Sequence, residues 1–245
     1  NHAFVRVDSR KMPYDIFVYT KGMELHDGDK VVVKIKEWPA DTKSPTGEII
    51  DVLGPAGDND TEMHAILAEF NLPYKYPEEI ARRRDFRGVT TFTIAPADAK
   101  DFDDALSIRP VGENRWEVGV HIADVTYYVQ EESIIEAEGR ERATSVYLVD
   151  RTIPMLPEKL SNYLCSLRPD EEKLCFSAVF EMDADLNITN EWLGRTVIRS
   201  DRRFTYEEAQ RIIETGEGNF REEVLTLNML AQKMRAERFR NGAIT

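Results

Sequence analysis

The sequence predicts an α+β protein in which a small β-barrel precedes a mixed α/β domain, and three observations support this fold class. Residues 1–55 consist of short β-branched runs separated by glycine and proline. Residues 56–87 carry apolar side chains at helical spacing, and from residue 88 onward strand and helix patterns alternate. We therefore predict a barrel over 1–55, a helical connector over 56–87 and an α/β domain over 88–245.

The predicted barrel is built from four short strands. Their alternating or β-branched runs cover residues 4–7, 15–19, 30–36 and 47–52. Glycine-containing turns at Gly28 and Gly47 separate the later runs. So many short strands within 55 residues are typical of a small barrel of the oligonucleotide-binding kind.

The connector and the α/β domain follow from periodicity and helix-capping patterns. Helices are predicted over 61–71 and from Pro77, because proline is favoured in a first helical turn. Strands are predicted over 89–94, 105–109, 115–122, 174–183 and 189–199, and helices over 131–143 and 220–240. Thr205 and Glu208 have capping-box spacing and begin a further helix that ends near Gly216. Along the strand 115–122, Trp116 and Ile122 share one face with the valines between them.

Composition excludes several classes of protein. The formal net charge of −13 argues against a simple nucleic-acid binder, because phosphate contacts need lysine and arginine. An acidic excess fits either a solvated surface or carboxylates gathered for metal ions. Cys165 and Cys175 lack both a disulfide framework and CxxC spacing, which favours buried thiols in a reducing compartment. With no long apolar run and no secretory signal in the sequence, we predict a cytoplasmic protein without a membrane partner.

The most informative motif is the acidic loop, Asp98–Asp104. Asp98, Asp101, Asp103 and Asp104 fall within seven residues, between two apolar strands. Crowded carboxylates repel one another unless a cation offsets the repulsion, and hard oxygen ligands suit Mg²⁺ or Mn²⁺. The spacing is not that of an EF-hand. Two alternatives stay open from spacing alone: a solvated polar turn, and a metal site suited to phosphodiester hydrolysis.

The acidic loop and its surroundings resemble a known family. The run Thr-Ile-x-Pro-x-Asp-Ala-Lys-Asp-x-Asp-Asp-Ala over residues 93–105 is similar to the signature of the ribonuclease II/ribonuclease R (RNB) family. Four further segments follow in the family's order, at residues 120–125, 144–148, 153–157 and 160–167. The resemblance covers the whole chain and is strongest to ribonuclease R, with residues 1–55 similar to its second cold-shock domain.

The resemblance implies a function and a set of site residues. Family members are processive Mg²⁺-dependent exoribonucleases that take single-stranded RNA by its 3′ end and release nucleoside 5′-monophosphates. It implies that Asp101, Asp103 and Asp104 are catalytic and hold the metal, Mg²⁺ or alternatively Mn²⁺. Tyr147 and Tyr206 would bind substrate through their aromatic faces. No obligate protein partner is implied.

Other residues of the motifs receive different roles. Asp98 lies in the motif but is not expected to be a ligand. His121 and Asp124 stand beside the loop in the family pattern, and for His121 we favour a buried side chain hydrogen-bonded to a neighbour.

Two departures from the family pattern bear on activity. The family has a metal-binding aspartate between Ile94 and Pro96, and this sequence has Ala95 there. The family's later arginine-rich segment, catalytic glutamate and basic C-terminal domain would lie beyond Thr245, so we expect a truncated catalytic domain. The resemblance predicts that the parent protein is a 3′→5′ exoribonuclease, and both departures predict that this chain is inactive.

Two competing functions follow from the same residues. Ala95 favours an RNA-binding protein on a degenerate nuclease scaffold, in which aromatic residues of the barrel would stack on bases: Phe4, Phe17, Tyr19 or Trp38. The carboxylates alone are equally compatible with a metal-dependent DNA nuclease.

Overall fold

The computed structural model describes residues 2–8, 12–39, 44–69, 77–149 and 151–244, and it divides into two compact units, Asn1–Lys75 and Tyr76–Thr245. The first unit contains β1 (His2–Val5), β2 (Ile16–Tyr19), β3 (Asp29–Glu37), β4 (Thr46–Pro55) and α1 (Asn59–Glu69). All four strands predicted from the sequence are present, with their ends moved by at most a few residues. Residues 70 and 71 of the predicted helix 61–71 lie outside the described residues.

The four strands of the first unit form one mixed sheet in the order β1-β2-β4-β3. The β2–β4 pair is parallel, and the other two pairs are antiparallel. Ile16, Val18 and Ile49 form the buried core on one face. In the described residues β1 and β3 are the edges of this sheet.

Helix α1 is attached to the sheet through Lys30 on β3. The Lys30 ammonium group donates to Glu62 on α1 at 2.6 Å and to Asp8 at 2.9 Å. Gly54 lets β4 pass close to the helix, because it has a φ of +122° and a Cβ there would lie 2.8 Å from the Thr61 hydroxyl. The helix that the sequence placed in a connector therefore packs within the first unit.

The second unit is a seven-stranded sheet with several helices. Its elements are α2 (Pro77–Arg82), β5 (Arg84–Asp85), β6 (Thr91–Ala95), β7 (Asp104–Gly112), β8 (Arg115–Ala123), α3 (Val125–Tyr128), α4 (Ile134–Arg142), β9 (Val146–Tyr147), β10 (Thr152–Ile153), a π-helical turn (Leu160–Leu164), β11 (Glu172–Asp183), β12 (Ile188–Arg199), β13 (Arg202–Thr205), α5 (Tyr206–Thr215) and α6 (Arg221–Arg240). The strand order is β13-β6-β7-β8-β11-β12-β5, and β9 pairs with β10 in a separate ribbon. The outermost pairs, β13–β6 and β12–β5, are parallel, and the inner pairs are antiparallel. The predicted α+β fold class is confirmed.

Helices α5 and α6 pack on the sheet through two apolar clusters. One cluster joins the β6 and β13 region to both helices through buried residues Phe92, Phe204, Ala209, Ile212 and Val224. The other joins α6 to the middle of the sheet through Ile108, Val118, Met182 and Leu230. Within the described part of the chain, none of the helices combines the length and apolar character that a membrane crossing requires.

Strand β8 is buried more deeply on the face that carries its polar residues. Glu117 and His121 are 3% and 0% exposed, whereas Ile122 on the apolar face is 48% exposed. Buried polar groups need partners within the protein. Glu117 Oε2 accepts from Arg84 at 2.7 Å, and Glu117 Oε1 forms an ion pair with Arg109 Nε at 2.8 Å.

His121 is the centre of a buried hydrogen-bonded row across the sheet. Its Nδ1 lies 2.7 Å from the Ser177 hydroxyl and its Nε2 lies 2.8 Å from the Ser107 hydroxyl. The Ser177 hydroxyl in turn lies 2.6 Å from that of Thr196. Gly119 leaves room for this row, because a Cβ at Gly119 would lie 2.7 Å from His121 Nε2. Burial lowers the pKa of His121 to about 4.

Because His121 is buried, we predict that the fold is sensitive to acid. The pKa is about 4 in the folded protein, and the ordinary value is 6.5. The unfolded chain therefore takes up a proton as pH falls from 6.5 towards 4, and the folded protein does not. The contribution of neutral His121 to the free energy of unfolding is complete above pH 6.5 and is lost over this window, at a cost of about 3 kcal/mol.

Urea unfolding at a series of pH values should show that the free energy of unfolding falls less steeply with acid in His121→Gln than in the unchanged protein. His26→Gln, at an exposed position, should keep the unchanged slope, and equal slopes in all three proteins would contradict the assignment.

Candidate active site

The ends of four strands meet at one edge of the second unit's sheet. Strand β6 runs parallel to β13 with Ala95 paired to Thr205, so both strands end at the same edge. Strand β7 is antiparallel to β6 and to β8, so its first residue, Asp104, lies at that edge beside the end of β8. The acidic loop joins β6 to β7 there, and the backbone N–H of Ala123 donates to the carbonyl of Asp103 at 2.9 Å.

The structure brings three of the four aspartates of this region together. The pKa of the Asp103 carboxyl is raised, first by the partial burial of that group and then by the charges of Asp101 and Asp104. All three residues are exposed to solvent on their outer side, as is Asp98 in the turn that precedes them. The crowding expected from the sequence is therefore present for Asp101, Asp103 and Asp104.

The carboxylate oxygens of these aspartates are suitable ligands for a hard divalent cation. Among the described residues, no three or more His, Cys, Asp or Glu side chains converge as a ready-made metal cage. Mg²⁺ does not need such a cage, because it retains several waters and commonly binds one or two carboxylates together with phosphate oxygens. Ala95, half-buried at the end of β6, contributes no donor where the family pattern has a carboxylate.

The two candidate tyrosines occupy different places. Tyr206 is the first residue of α5, directly after Thr205, and is 56% exposed at the edge that holds the loop. A capping box fixes this helix start: Glu208 N–H donates to the Thr205 hydroxyl at 3.1 Å, and Thr205 N–H donates to Glu208 Oε2 at 2.9 Å. Tyr147 is 74% exposed on the β9–β10 ribbon, paired with Thr152.

Sequence reasoning missed two residues that contact the loop backbone. The Ser166 hydroxyl accepts from Phe102 N–H at 3.0 Å and donates to the Lys100 carbonyl at 3.1 Å. Arg203 Nη2 donates to the carbonyls of Pro96 at 2.5 Å and Ala97 at 2.8 Å. Ser166 stands inside a segment that carried the family resemblance, so a signal existed for it. Strand β13, which carries Arg203, was not predicted at all.

Asp124 is structural, like His121. It lies at the end of β8 with 4% exposure, and its carboxylate accepts from Arg83 at 2.8 Å. Arg195 approaches the same carboxylate at 3.7 Å. The expectation of a buried, hydrogen-bonded His121 agrees with its contacts to Ser107 and Ser177.

The first unit carries exposed aromatic side chains on the face of β1 and β2 opposite its core. We call His2, Phe4, Phe17 and Tyr19 the aromatic patch. Its members contact one another around Phe17, with ring centroids 5.4 Å away for His2, 5.6 Å for Phe4 and 5.2 Å for Tyr19. Phe4 and Tyr19 are 60% and 72% exposed. Trp38 lies outside the patch and contacts Tyr14 at 6.2 Å instead.

Each of the two units matches a known domain family. Residues 4–77 match the cold shock domain family model, and residues 83–245 match the RNB domain model. The chain belongs to the RNB domain family.

Comparison with individual relatives supports the same family. The chain is 35% identical to DIS3-like exonuclease 2 of Xenopus tropicalis over 95% of its own length and 32% of that protein. It is 33% identical to ribonuclease R of Thermotoga maritima over 99% of its own length and 38% of that protein. The chain therefore spans about a third of the length of these curated relatives.

Solved structures share the fold at lower identity. Mycoplasma genitalium RNase R in complex with double-stranded RNA superposes with a TM-score of 0.63 at 23% identity, over 99% of this chain and 48% of that one. The yeast pseudonuclease Ssd1 has the same TM-score at 24% identity, over 100% of this chain and 33% of that one. Both solved structures therefore share the fold of this chain.

Proposed function

We propose that this chain is the RNA-engaging part of a 3′→5′ exoribonuclease that takes single-stranded RNA by its 3′ end and releases nucleoside 5′-monophosphates. The observation that carries the proposal is the crowding of Asp101, Asp103 and Asp104 at a sheet edge in an RNB-family chain. Residues 1–55 would bind RNA, 56–87 would connect and 88–245 would hold the catalytic groups. We also propose a cytoplasmic location and no obligate protein partner.

Each site residue has a role in this proposal. Asp101, Asp103 and Asp104 hold Mg²⁺, or Mn²⁺ in its place, and the ion supplies an activated water and charge stabilisation for phosphodiester hydrolysis. Tyr206 lies at the same edge and offers a ring face to a base beside the carboxylates. Tyr147 offers a second, more exposed face on its ribbon. Stacking on a ring tolerates any base, which suits an enzyme that degrades RNA without regard to sequence.

The overall negative charge opposes RNA binding, and two contributions at these surfaces would offset it. Aromatic stacking gains free energy without phosphate contacts, and a bound cation offsets the charge at the carboxylates. RNA would therefore be held by stacking and by the metal more than by a basic groove.

A second function is favoured by Ala95. Without the carboxylate expected at this position, the cation binds more weakly and the attacking water is placed less well. The chain would then bind single-stranded RNA on a degenerate nuclease scaffold without hydrolysis. Hydrolysis of single-stranded RNA by the unchanged chain with Mg²⁺, releasing nucleoside 5′-monophosphates, would exclude this second function.

Ala95→Asp tests whether the absence of a carboxylate at this position weakens cation binding. We expect it to raise the affinity for Mn²⁺, followed by electron paramagnetic resonance, by about tenfold or more, because it adds a carboxylate at the loop. Ala97→Asp is the matched control: it adds the same charge two residues further along, at an exposed turn position. An equal rise in both variants would show a non-specific charge effect and remove Ala95 from the explanation.

Tyr147 and Tyr206 should each contribute to binding of RNA by stacking. Tyr147→Ala and Tyr206→Ala should each weaken binding of a fluorescent oligouridine with a free 3′ end by about tenfold, since stacking on one base is worth roughly 1–3 kcal/mol. Tyr147→Phe and Tyr206→Phe keep the ring and should bind like the unchanged chain. Equal losses in the Ala and Phe variants would assign the contribution to the hydroxyl groups instead.

The aromatic patch should bind single-stranded nucleic acid as well. The double variant Phe4→Ala/Tyr19→Ala should lose about tenfold in affinity for oligouridine, because it removes two exposed ring faces. Tyr14→Ala removes an exposed aromatic outside the patch and serves as the control. Parallel titrations with the corresponding DNA test the DNA-nuclease alternative, because the 2′-hydroxyl distinguishes RNA. Stronger binding of DNA than of RNA would contradict the proposed substrate.

A further inference from the structure

The acidic loop has few backbone partners of its own. Residues 96–103 lie between β6 and β7, so neither strand ladder holds them. Ser166, which is fully buried, bridges Phe102 N–H and the Lys100 carbonyl. The next residue, Leu167, donates its N–H to the Phe102 carbonyl at 2.8 Å. Both backbone groups of Phe102 are therefore held by residues 166 and 167.

Arg203 contacts the residues that lead into the same loop. Its guanidinium donates to the carbonyls of Pro96 and Ala97, and it also lies over the Phe102 ring at 5.3 Å from the centroid. One side chain thus connects the beginning of the loop with Phe102. Because Phe102 stands between Asp101 and Asp103, both anchors act on the residue in the middle of the carboxylates.

The backbone contacts of Ser166 and Arg203 oppose the repulsion between the loop carboxylates. Asp101, Asp103 and Asp104 carry like charges, and their mutual repulsion favours a loop that spreads apart. A spread loop would meet a cation with one carboxylate at a time and would lose affinity. Backbone hydrogen bonds around Phe102 oppose the spreading before any cation arrives.

Hydrogen bonds also stabilise the segment that carries Ser166. The π-helical turn ends with Cys165 N–H donating to the Leu160 carbonyl at 2.8 Å. The buried ammonium of Lys173 donates to the Tyr163 carbonyl at 2.6 Å. The segment that presents the Ser166 hydroxyl is therefore rigid, as a positioning element must be.

We propose that Ser166 and Arg203 are positioning residues that hold the loop backbone around Phe102 and thereby set the spacing of Asp101, Asp103 and Asp104 for a divalent cation. This inference rests on the proposed function, because it assumes that the carboxylates bind a metal. Neither side chain has a described contact with these carboxylates, so both act through the loop backbone.

The test measures Mn²⁺ affinity by electron paramagnetic resonance in folded variants of the whole chain. Ser166→Ala should weaken Mn²⁺ binding by about tenfold through loss of carboxylate spacing. The matched control is Ser133→Ala, because the Ser133 hydroxyl also accepts from a backbone N–H, that of Glu136 at 3.1 Å, but at the start of α4. The control should lose stability without loss of Mn²⁺ affinity. Wild-type Mn²⁺ affinity in folded Ser166→Ala would overturn the role of Ser166.

The change in Mn²⁺ affinity in Arg203→Gln distinguishes a positioning role from a simple charge effect. If Arg203 were only a nearby positive charge, its removal would strengthen cation binding, because like charges repel. If it positions the loop, its removal weakens Mn²⁺ binding in spite of the lost repulsion. Arg202→Gln removes the adjacent positive charge, which lies over Phe204 instead of the loop, and is the control. Stronger Mn²⁺ binding in Arg203→Gln would overturn the proposal for Arg203.

Hydrogen exchange keeps the proposal testable if Ser166→Ala is too unstable for metal titration. The amides of Phe102, Asp103 and Asp104 should exchange faster in Arg203→Gln than in Arg202→Gln. Unchanged exchange at all three amides would overturn the proposal. Failure of the proposed function looks different: neither the unchanged chain nor Ala95→Asp would bind Mn²⁺ saturably.

Discussion

The edge of the sheet that carries the acidic loop depends on one buried ion pair. Arg83 and Asp124 are within 2.8 Å of each other, and their side chains are 1% and 2% exposed. Arg83 also donates to the backbone carbonyls of Cys175 and Thr196, so it joins β11 and β12 to the end of β8. Removing one partner of such a pair leaves an uncompensated buried charge, at a cost of about 3–5 kcal/mol. The arrangement of the strand ends around the loop therefore depends on this pair.

The environment behind the loop differs sharply from the environment in front of it. Burial raises the pKa of the Cys165 thiol to about 12, and the nearby Asp103 charge acts in the same direction. Burial also lowers the pKa of Lys173, although its ion pair with Glu171 at 2.8 Å opposes this effect. The carboxylates of Asp101 and Asp104 face solvent on the opposite side. The acidic loop thus has a poorly solvated base and a solvent-exposed outer face.

The functional assignment depends on residues more than on the fold. The same architecture occurs in a ribonuclease R and in a protein described as a pseudonuclease. At the sheet edge of this chain, Ala95 stands where the family pattern has an aspartate. The aromatic residues and the loop anchors are compatible with either function, because RNA binding and a rigid loop are useful to both.

The sequence by itself determined the features that rest on neighbouring residues. The capping box at Thr205 and Glu208, the hairpin of β11 and β12 and the crowding of aspartates in one loop all involve groups a few positions apart, where periodicity and capping rules apply. Only the tertiary structure decided which strand ends share an edge, which face of β8 is buried deepest and which residues hold the loop. Ser166 and Phe102 are 64 residues apart, and Arg203 and Pro96 are 107 apart. Such contacts arise from sheet order and from the need of buried polar groups for partners, and no local pattern in the sequence encodes that pairing.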